Sequence, residues 1–490
     1  MSDTAVPFRP EARSPRGFQD RRARDLRGER AILTAVSAVY ERYGFEQLDT
    51  PAFEYADALG KFLPDSDRPN EGVFALQDDD EQWMALRYDL TAPLARFAAQ
   101  NWETLAKPFR RYAFGTVWRN EKPGPGRFRE FIQCDADTVG SARPEADAEI
   151  IAMAVEGLQA AGLPRGSAVI KINNRKLLNG LLSAAGVADA GQKLAVLRAV
   201  DKLDRLGPDG VRLLLGEGRK DESGAFTKGA GLAAKGIEAV LAFTAAGRAS
   251  RAETLANLAN VIGGSAEGDE GLNDLARIDA ALKGLGVAED QAAFDPSVVR
   301  GLEYYTGAVF EAELLLETVD DKGERVRFGS VGGGGRYDDL VARFTGERTP
   351  ATGFSFGVSR LASALRAAGR EAAAAARGPV VVIAFSEANM ADYFAIAGEL
   401  RAGGIAAEVY LGQSGMKAQM KYADRRLSPA AVIVGDDELA AGTATVKDLD
   451  LGRELASKVS DNSAWRAERP GQATIPRAEL VTHIRRILEG

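Results

Sequence analysis

Between Phe109 and Asp137 the chain reads as a strand, a turn rich in Pro and Gly, and a second strand, and this ribbon constrains the fold more than any other stretch. Residues 108–119 are rich in aromatic and β-type side chains, residues 120–126 hold two prolines and two glycines, and residues 127–139 return to strand-like sequence. The simplest arrangement is an antiparallel hairpin with a long, Gly-containing tip. Between Lys107 and Glu130 there are seven Lys/Arg and two Glu, a local excess of +5 in a chain whose net charge is −8. Alternate residues of a strand share a face, so Arg127, Arg129 and Phe131 point one way, and Gln133, Asp135 and Asp137 continue that face. Guanidinium groups bind phosphate oxygens bidentately and lie flat against aromatic rings. The ring suits a flat base, and the acceptors further along suit a cationic or hydrogen-bonding substrate. The ordinary alternative is a solvated basic hairpin, which the crowding of Arg, Phe, Gln and Asp on one ribbon disfavours.

Two scarcities exclude whole classes of chemistry. The 490 residues include one cysteine, Cys134, and one histidine, His483. No intrachain disulfide is possible and a Cys-rich zinc site is excluded. Two-histidine metal sites cannot be built, and a Ser-His-Asp hydrolase would have to use His483. Acid–base and electrostatic chemistry therefore falls to carboxylates, Arg, Lys, Tyr and backbone, and no metal-ligand set is assigned. The single cysteine is expected to be a small buried residue, and its solitude suits a reducing, cytoplasmic compartment. Apolar runs are short, as at residues 380–385, so no membrane span is expected. The Arg-rich N-terminus carries Asp3, Glu11, Asp20 and Asp25 and has no apolar signal core.

The length implies two to four domains at about 100–200 residues each. Residues 26–43 predict a helix, with Ile32, Val36, Val39 and Tyr40 recurring every three to four positions and Gly44 as a stop. Residues 45–51 predict a short strand ended by Pro51. From about 177 to 285 Leu, Ala, Lys and Arg dominate and aromatics almost vanish, which predicts an inserted helical module. Aromatic and Gly-rich sequence resumes at Phe294. Residues 366–378, with alanines at 372–376, read as a linker or as a helix end leading into one. Beyond Pro379 an alternation of strand and helix over 380–385, 390–402, 405–411, 416–427 and 430–434 predicts a small α/β domain with a mainly parallel sheet.

The ribbon also carries a recognisable pattern. Arg119-Asn-Glu121, a loop, then Arg127-Phe-Arg-Glu-Phe-Ile-Gln133 resembles motif 2 of class II aminoacyl-tRNA synthetases in its histidyl-specific form. Arg300-Gly-Leu-Glu-Tyr-Tyr-Thr-Gly-Ala-Val-Phe310 resembles the signature of histidyl-tRNA synthetases, and Gly353-Phe-Ser-Phe-Gly-Val-Ser-Arg360 resembles class II motif 3. Leu86-Arg-Tyr-Asp-Leu-Thr-Ala-Pro93 is similar to the family's amino-acid-binding segment, Ser14-Pro-Arg-Gly17 to its start, and residues 45–51 to motif 1. Met416-Lys-Ala-Gln-Met-Lys-Tyr-Ala-Asp424, with residues 434–439 and 446–448, resembles the family's anticodon-binding domain. The similarities run in family order and cover nearly the whole chain, apart from much of the helical insertion.

That resemblance implies an α+β fold: an antiparallel class II sheet with flanking helices, split by a helical insertion and followed by the anticodon-binding domain. The limits it implies are 1–176 and 291–370 for the two catalytic parts, 177–290 for the insertion and 379–490 for the last domain. It implies ligation of L-histidine to histidine tRNA through a histidyl-adenylate, with ATP and Mg2+ as a substrate complex, no organic cofactor, and a homodimer through motif 1. Arg119 and Arg300 would be catalytic, contacting the α-phosphate. Glu121, Arg127, Phe131 and Arg360 would hold ATP, Phe131 stacking on adenine. Asp89, Thr91 and Gln133 would take the amino-acid end of histidine; Asp137, Tyr304, Tyr305 and Tyr337 would take the imidazole. Tyr304 and Tyr305 are adjacent, and strand neighbours face opposite sides, so one ring is expected in the pocket. Gly332-Gly-Gly-Gly-Arg336 is no P-loop, because no Gly-Lys-Ser/Thr follows. Lys417, Lys421 and Arg425, spaced i, i+4 and i+8, would form a tRNA-facing stripe, and the tip at 122–126 would reach the acceptor end.

The sequence departs from the commonest bacterial pattern at Asp89 and Asp137, where glutamates are usual, and the motif 2 loop carries Gly124-Pro125 in place of a Gln-Lys pair. The rival is a non-catalytic paralogue, the regulatory subunit of ATP phosphoribosyltransferase. It typically loses the adenylate-forming arginines and the last domain, both kept here.

Overall fold

The computed structural model describes residues 9–62, 72–124, 128–220, 224, 226–262, 264–300, 305–319, 325–370, 377–456 and 471–489. Contacts group the chain into two units, Met1–Ala372 and Ala373–Gly490.

The first unit is built on an eight-stranded sheet. Its spatial order is Glu46–Gln47, Phe109–Trp118, Glu130–Val139, Ala351–Gly357, Ser330–Arg336, Ala308–Leu314, Ala168–Asn174 and Ala292–Phe294. The two outermost strands pair in parallel and all other pairings are antiparallel. The hairpin expected from the sequence supplies its second and third strands, with Arg111 opposite Asp137, Ala113 opposite Asp135 and Gly115 opposite Gln133.

Period-two alternation splits the sheet into unlike faces. One face carries Tyr112, Cys134, Ala136, Ile170, Ile172, Phe310, Phe354 and Phe356, all buried in the main core. Helices Ala23–Arg42, Pro144–Ala160 and Val358–Ala367 cover it, the first through Ile32 and Val36. Packing there is tight: a Cβ on Gly157 would lie 3.0 Å from the Phe356 ring. The buried Arg336 clamps this layer, donating to Asp147 on the second helix through Nε at 3.0 Å and Nη2 at 2.6 Å.

The stretch expected to be an all-helical insertion forms helices Arg175–Ala184, Ala190–Val200, Leu203–Leu215, Ala234–Thr244, Arg251–Ile262 and Ala266–Gly284. It also contains a small hairpin, Gly218–Lys220 with Phe226–Lys228, which the composition did not announce. Ala266–Gly284 packs on Pro144–Ala160, where Arg277 grips Glu145 at 2.7 and 2.9 Å.

The second unit is a five-stranded sheet in the order Ala407–Val409, Val380–Ile383, Ala430–Ile433, Thr443–Asp448 and Gln472–Pro476. The first three strands pair in parallel, but the last two pairings are antiparallel, so the sheet is mixed rather than mainly parallel. Helix Met390–Ala402 falls where the alternation placed it, and its Tyr393, Ile396 and Leu400 are buried against the sheet.

Candidate active site

The other face of the large sheet is poor in side chains. Register aligns Ala113, Asp135, Ser355, Gly333 and Glu311 in one row, and Arg111, Asp137, Gly353, Gly335 and Val309 in the next. The glycines make a low floor over which long side chains fold. A Cβ on Gly333 would sit 2.9 Å from the Arg300 guanidinium, one on Gly335 2.9 Å from the Tyr305 ring, and one on Gly115 2.3 Å from Arg87 Nη2. The run at 332–335 is therefore strand rather than loop, and its glycines admit side chains from above.

Asp137 lies at the buried end of this floor. It is 2% exposed, faces Arg111 Nη2 at 3.1 Å, and accepts a hydrogen bond from the Tyr337 hydroxyl. Burial raises its carboxyl above the usual range, and Arg111 and Tyr337 oppose that rise. Tyr337 thus spends its hydroxyl on Asp137 and acts on the pocket through that carboxylate. Gln133, on the same strand face, donates Nε2 to Ser355 Oγ at 2.5 Å. Asp135 lies between them; burial raises its carboxyl, and the charge of Asp137 raises it further. Asp89 caps helix Thr91–Asn101, its Oδ1 accepting from the backbone N–H groups of Thr91 at 3.1 Å and Ala92 at 2.9 Å. Thr91 is thereby fixed beside it at the first helical position. Tyr305 senses the charges of Arg300, Asp137, Asp89 and Asp135, which brings the histidine signature to these carboxylates.

Arg119 extends from the end of the first hairpin strand. Its guanidinium lies 4.4 Å from the Tyr88 ring centroid and 5.2 Å from that of Phe131, within cation–π reach of both. Tyr88 also donates its hydroxyl to Glu121 Oε1 at 2.7 Å, and burial pushes that hydroxyl up to about 12. Arg300 donates from Nη1 to Glu311 Oε1 and to Ser330 Oγ at 2.6 Å. A cavity of about 100 Å³ adjoins it, lined on one side by Lys171 and Glu313 and on the other by Asp201 and Asp204 of the helical segment. Arg360, exposed on helix Val358–Ala367, donates to the Phe328 carbonyl at 2.5 Å. Arg127 and Tyr304 lie outside the described residues, as do parts of the hairpin tip.

Sequence reasoning missed Arg111, Tyr88, Ser355 and Glu311. Arg111 and Glu311 carried a signal, since period two places them on the pocket face. Ser355 and Tyr88 carried none, because their roles depend on register between distant segments.

In the second unit, helix Met416–Arg425 presents Lys417, Lys421 and Arg425 to solvent. Its opposite side is anchored by buried Gln419, which bonds Ala384 N and O at 2.9 and 2.6 Å and Ser414 O at 2.9 Å. The adjacent Arg426 is committed to Glu408 by two 3.0 Å bonds.

The family model described as Histidyl-tRNA synthetase matches residues 17–361, which include every pocket residue described above. The chain belongs to this family. A second model, Anticodon binding domain, matches residues 379–485. The histidine–tRNA ligase of Caulobacter vibrioides is 79% identical over 484 residues, covering 99% of this chain and 98% of the relative. That of Brucella suis biovar 1 is 56% identical, covering 100% and 98%. The crystal structure of histidyl-tRNA synthetase from Nostoc sp. PCC 7120 superposes with a TM-score of 0.73 at 28% identity, covering 98% of this chain and 100% of that one. The fold is thus the class II histidyl-tRNA synthetase fold. Among the described residues no helix is long and apolar enough to cross a membrane, and no cluster of His, Cys, Asp and Glu is arranged to hold a metal ion.

Proposed function

We propose that the glycine-floored face binds histidine and ATP side by side and joins them as histidyl-adenylate, from which histidine passes to the 3′ end of histidine tRNA. The overall reaction is ATP-dependent ligation of histidine to tRNA, the activity named for relatives that match this chain at 79% identity along nearly its full length. Those relatives also disfavour a regulatory subunit of ATP phosphoribosyltransferase.

The observation that carries the reading is that one sheet face holds Arg300 over Gly333, the buried Asp135 and Asp137, and Phe131 with the Arg119 guanidinium against its ring. In adenylation a carboxylate oxygen of histidine attacks the α-phosphorus and pyrophosphate leaves. Negative charge grows on the α-phosphate oxygens, and preorganised cations there lower the barrier. Arg119 and Arg300 take that role. Glu311 holds Arg300 over Gly333 in readiness, and the Tyr88 and Phe131 rings brace Arg119. Phe131 also offers its ring to adenine, with Glu121 beside it; Arg360 and Arg127 take the phosphate tail, and ATP enters as its magnesium complex. Asp89, Thr91 and Gln133 take the amino-acid end, and Asp137, positioned by Tyr337, reads the imidazole with Tyr305 and Tyr304. Transfer then needs only attack of the tRNA hydroxyl on the acyl carbon, with AMP leaving. Lys417, Lys421 and Arg425 approach the tRNA backbone.

We also propose a homodimer. Phe53, Tyr55 and Leu76, on a three-stranded sheet next to the motif 1 segment, are 42–56% exposed and suit a second copy of the chain.

The test is amino-acid-dependent ATP–pyrophosphate exchange with all twenty amino acids. Exchange with histidine alone is expected, and Arg300→Ala should lower it by about 10²–10³. No exchange from a folded protein sinks the adenylation reading.

A further inference from the structure

The charges of three carboxylates act on one another at the pocket floor. Asp137 has Arg111 and the Tyr337 hydroxyl. Asp89 Oδ1 caps a helix. Asp135 is 1% exposed; a side-chain hydrogen bond from Ser355 opposes the rise of its carboxyl, yet its Oδ1 is left without a hydrogen-bond partner among the described residues. Two residues away on the same strand face, Gln133 Oε1 is likewise buried and unpartnered, while its Nε2 is held by Ser355 Oγ. A buried acceptor left unpaired is costly, and here two stand two residues apart on the pocket face of one strand. Cys134 and Ala136, which alternate with these residues, are packed in the apolar core. The two open acceptors therefore belong to the substrate side of the sheet.

We propose that Asp135 is a further substrate-specificity residue, which together with Gln133 accepts hydrogen bonds from the protonated α-amino group of histidine and gives up a proton as that cation binds. The proposal rests on the histidine-activating function above. An ammonium group is the ligand that best fits: it has three N–H donors in a compact cation and satisfies both acceptors at once. The proton follows from charge. The ionised groups facing Asp135 are Asp137 on its own strand, Asp89 from the helix start and Arg111 on the neighbouring strand, one cation against two other carboxylates. Across the pocket Tyr305, and behind the sheet Tyr40 and Cys134, are all shifted upward by burial and stay neutral. With no ligand, the buried site relieves its excess negative charge by keeping a proton, and Asp135, the carboxylate without a committed partner at Oδ1, is where it resides. The arriving ammonium replaces that proton as the positive charge. No bond to carbon or phosphorus changes, and the proton leaves to solvent.

Two measurements test this on the full-length protein. First, Asp135→Asn keeps shape and loses the charge. It should raise the histidine KM in pyrophosphate exchange about ten- to a hundredfold, leave the ATP KM within twofold, and flatten the pH dependence of the histidine KM between pH 6 and 9. A histidine KM within twofold of the unaltered protein overturns the proposal, and so does an equal loss of ATP affinity, the mark of a collapsed pocket. Second, if the variant does not fold, calorimetric titration of the unaltered protein with histidine in buffers of different ionisation enthalpy counts the protons directly. Net release near neutral pH is expected, and zero exchange or uptake overturns the assignment. Failure here, with histidine-dependent exchange intact in the unaltered protein, leaves the ligase reading standing; loss of exchange in the unaltered protein would sink both.

Discussion

The pocket depends on a side chain that is absent. A Cβ on Gly353 would lie 1.9 Å from Asp137 Oδ1 and 2.5 Å from its Cγ, so Gly353→Ala must displace the carboxylate that Tyr337 and Arg111 hold. The variant should lose histidine affinity by at least tenfold while ATP affinity changes little, as read by the two KM values in exchange. An unchanged histidine KM would mean that Asp137 does not contact the substrate. A second expectation concerns pH. The Asp135 and Asp137 carboxyls are raised in the folded protein, so the folded state binds more protons than the unfolded chain above the ordinary carboxylate range. Stability of the ligand-free protein should therefore fall as pH rises from about 4 until the raised values are passed, and then level off. Melting of Asp135→Asn across that range should show a shallower decline; an identical slope would place the titration elsewhere. How much of this was legible is a matter of sequence distance. Gln133, Asp135 and Asp137 were visible as one strand face, and Asp89 and Arg119 through their motifs. The Tyr337 hydroxyl on Asp137 and Ser355 on Gln133 bridge 200 and 222 residues, a register that no local pattern encodes.

At the scale of elements, helix Met416–Arg425 separates an anchoring side from an exposed cationic one. Gln419 and Ala423 are buried, and the three cations on the other side have no ion pair among the described residues, whereas Arg426 is already neutralised by Glu408. Replacing Lys417, Lys421 and Arg425 together with Glu should raise the tRNA KM by tenfold or more and reduce the salt dependence of tRNA binding. Pyrophosphate exchange, which needs no tRNA, should not change. If the charge reversal leaves tRNA aminoacylation untouched, the stripe is a solvated face. The expected hairpin, at 108–119 and 127–139, proved two ten-residue strands, because long alternating runs leave a strong periodic signal. The hairpin of Gly218–Lys220 and Phe226–Lys228 has only three residues per strand, too few for period two to stand out from helical surroundings. The C-terminal sheet was read as mainly parallel because its first half alternates strand with helix. Its antiparallel return, Thr443–Asp448 to Gln472–Pro476, is polar and crosses residues outside the described set.

At the scale of the molecule, the two units have separate hydrophobic cores. The large core runs from Ile32 to Leu365, and the cores of the second unit begin at Val380. Each is organised by its own sheet, so each can lose its structure without the other's side chains being part of the same cooperative packing. Heating the intact chain should therefore give two transitions in calorimetry. The proposed histidine and ATP pocket lies wholly in the larger unit, and a ligand stabilises only the unit that binds it. Histidine at about a hundred times its dissociation constant adds roughly 2.7 kcal/mol. For a unit of this size that moves a midpoint by about 3–4 °C on the usual entropy per residue. The larger transition should shift by that amount and the smaller by none. If the basic stripe of the second unit takes histidine tRNA as proposed, the tRNA should move the smaller one. A single transition, or a histidine shift in both, would mean that the units melt as one body despite their separate cores.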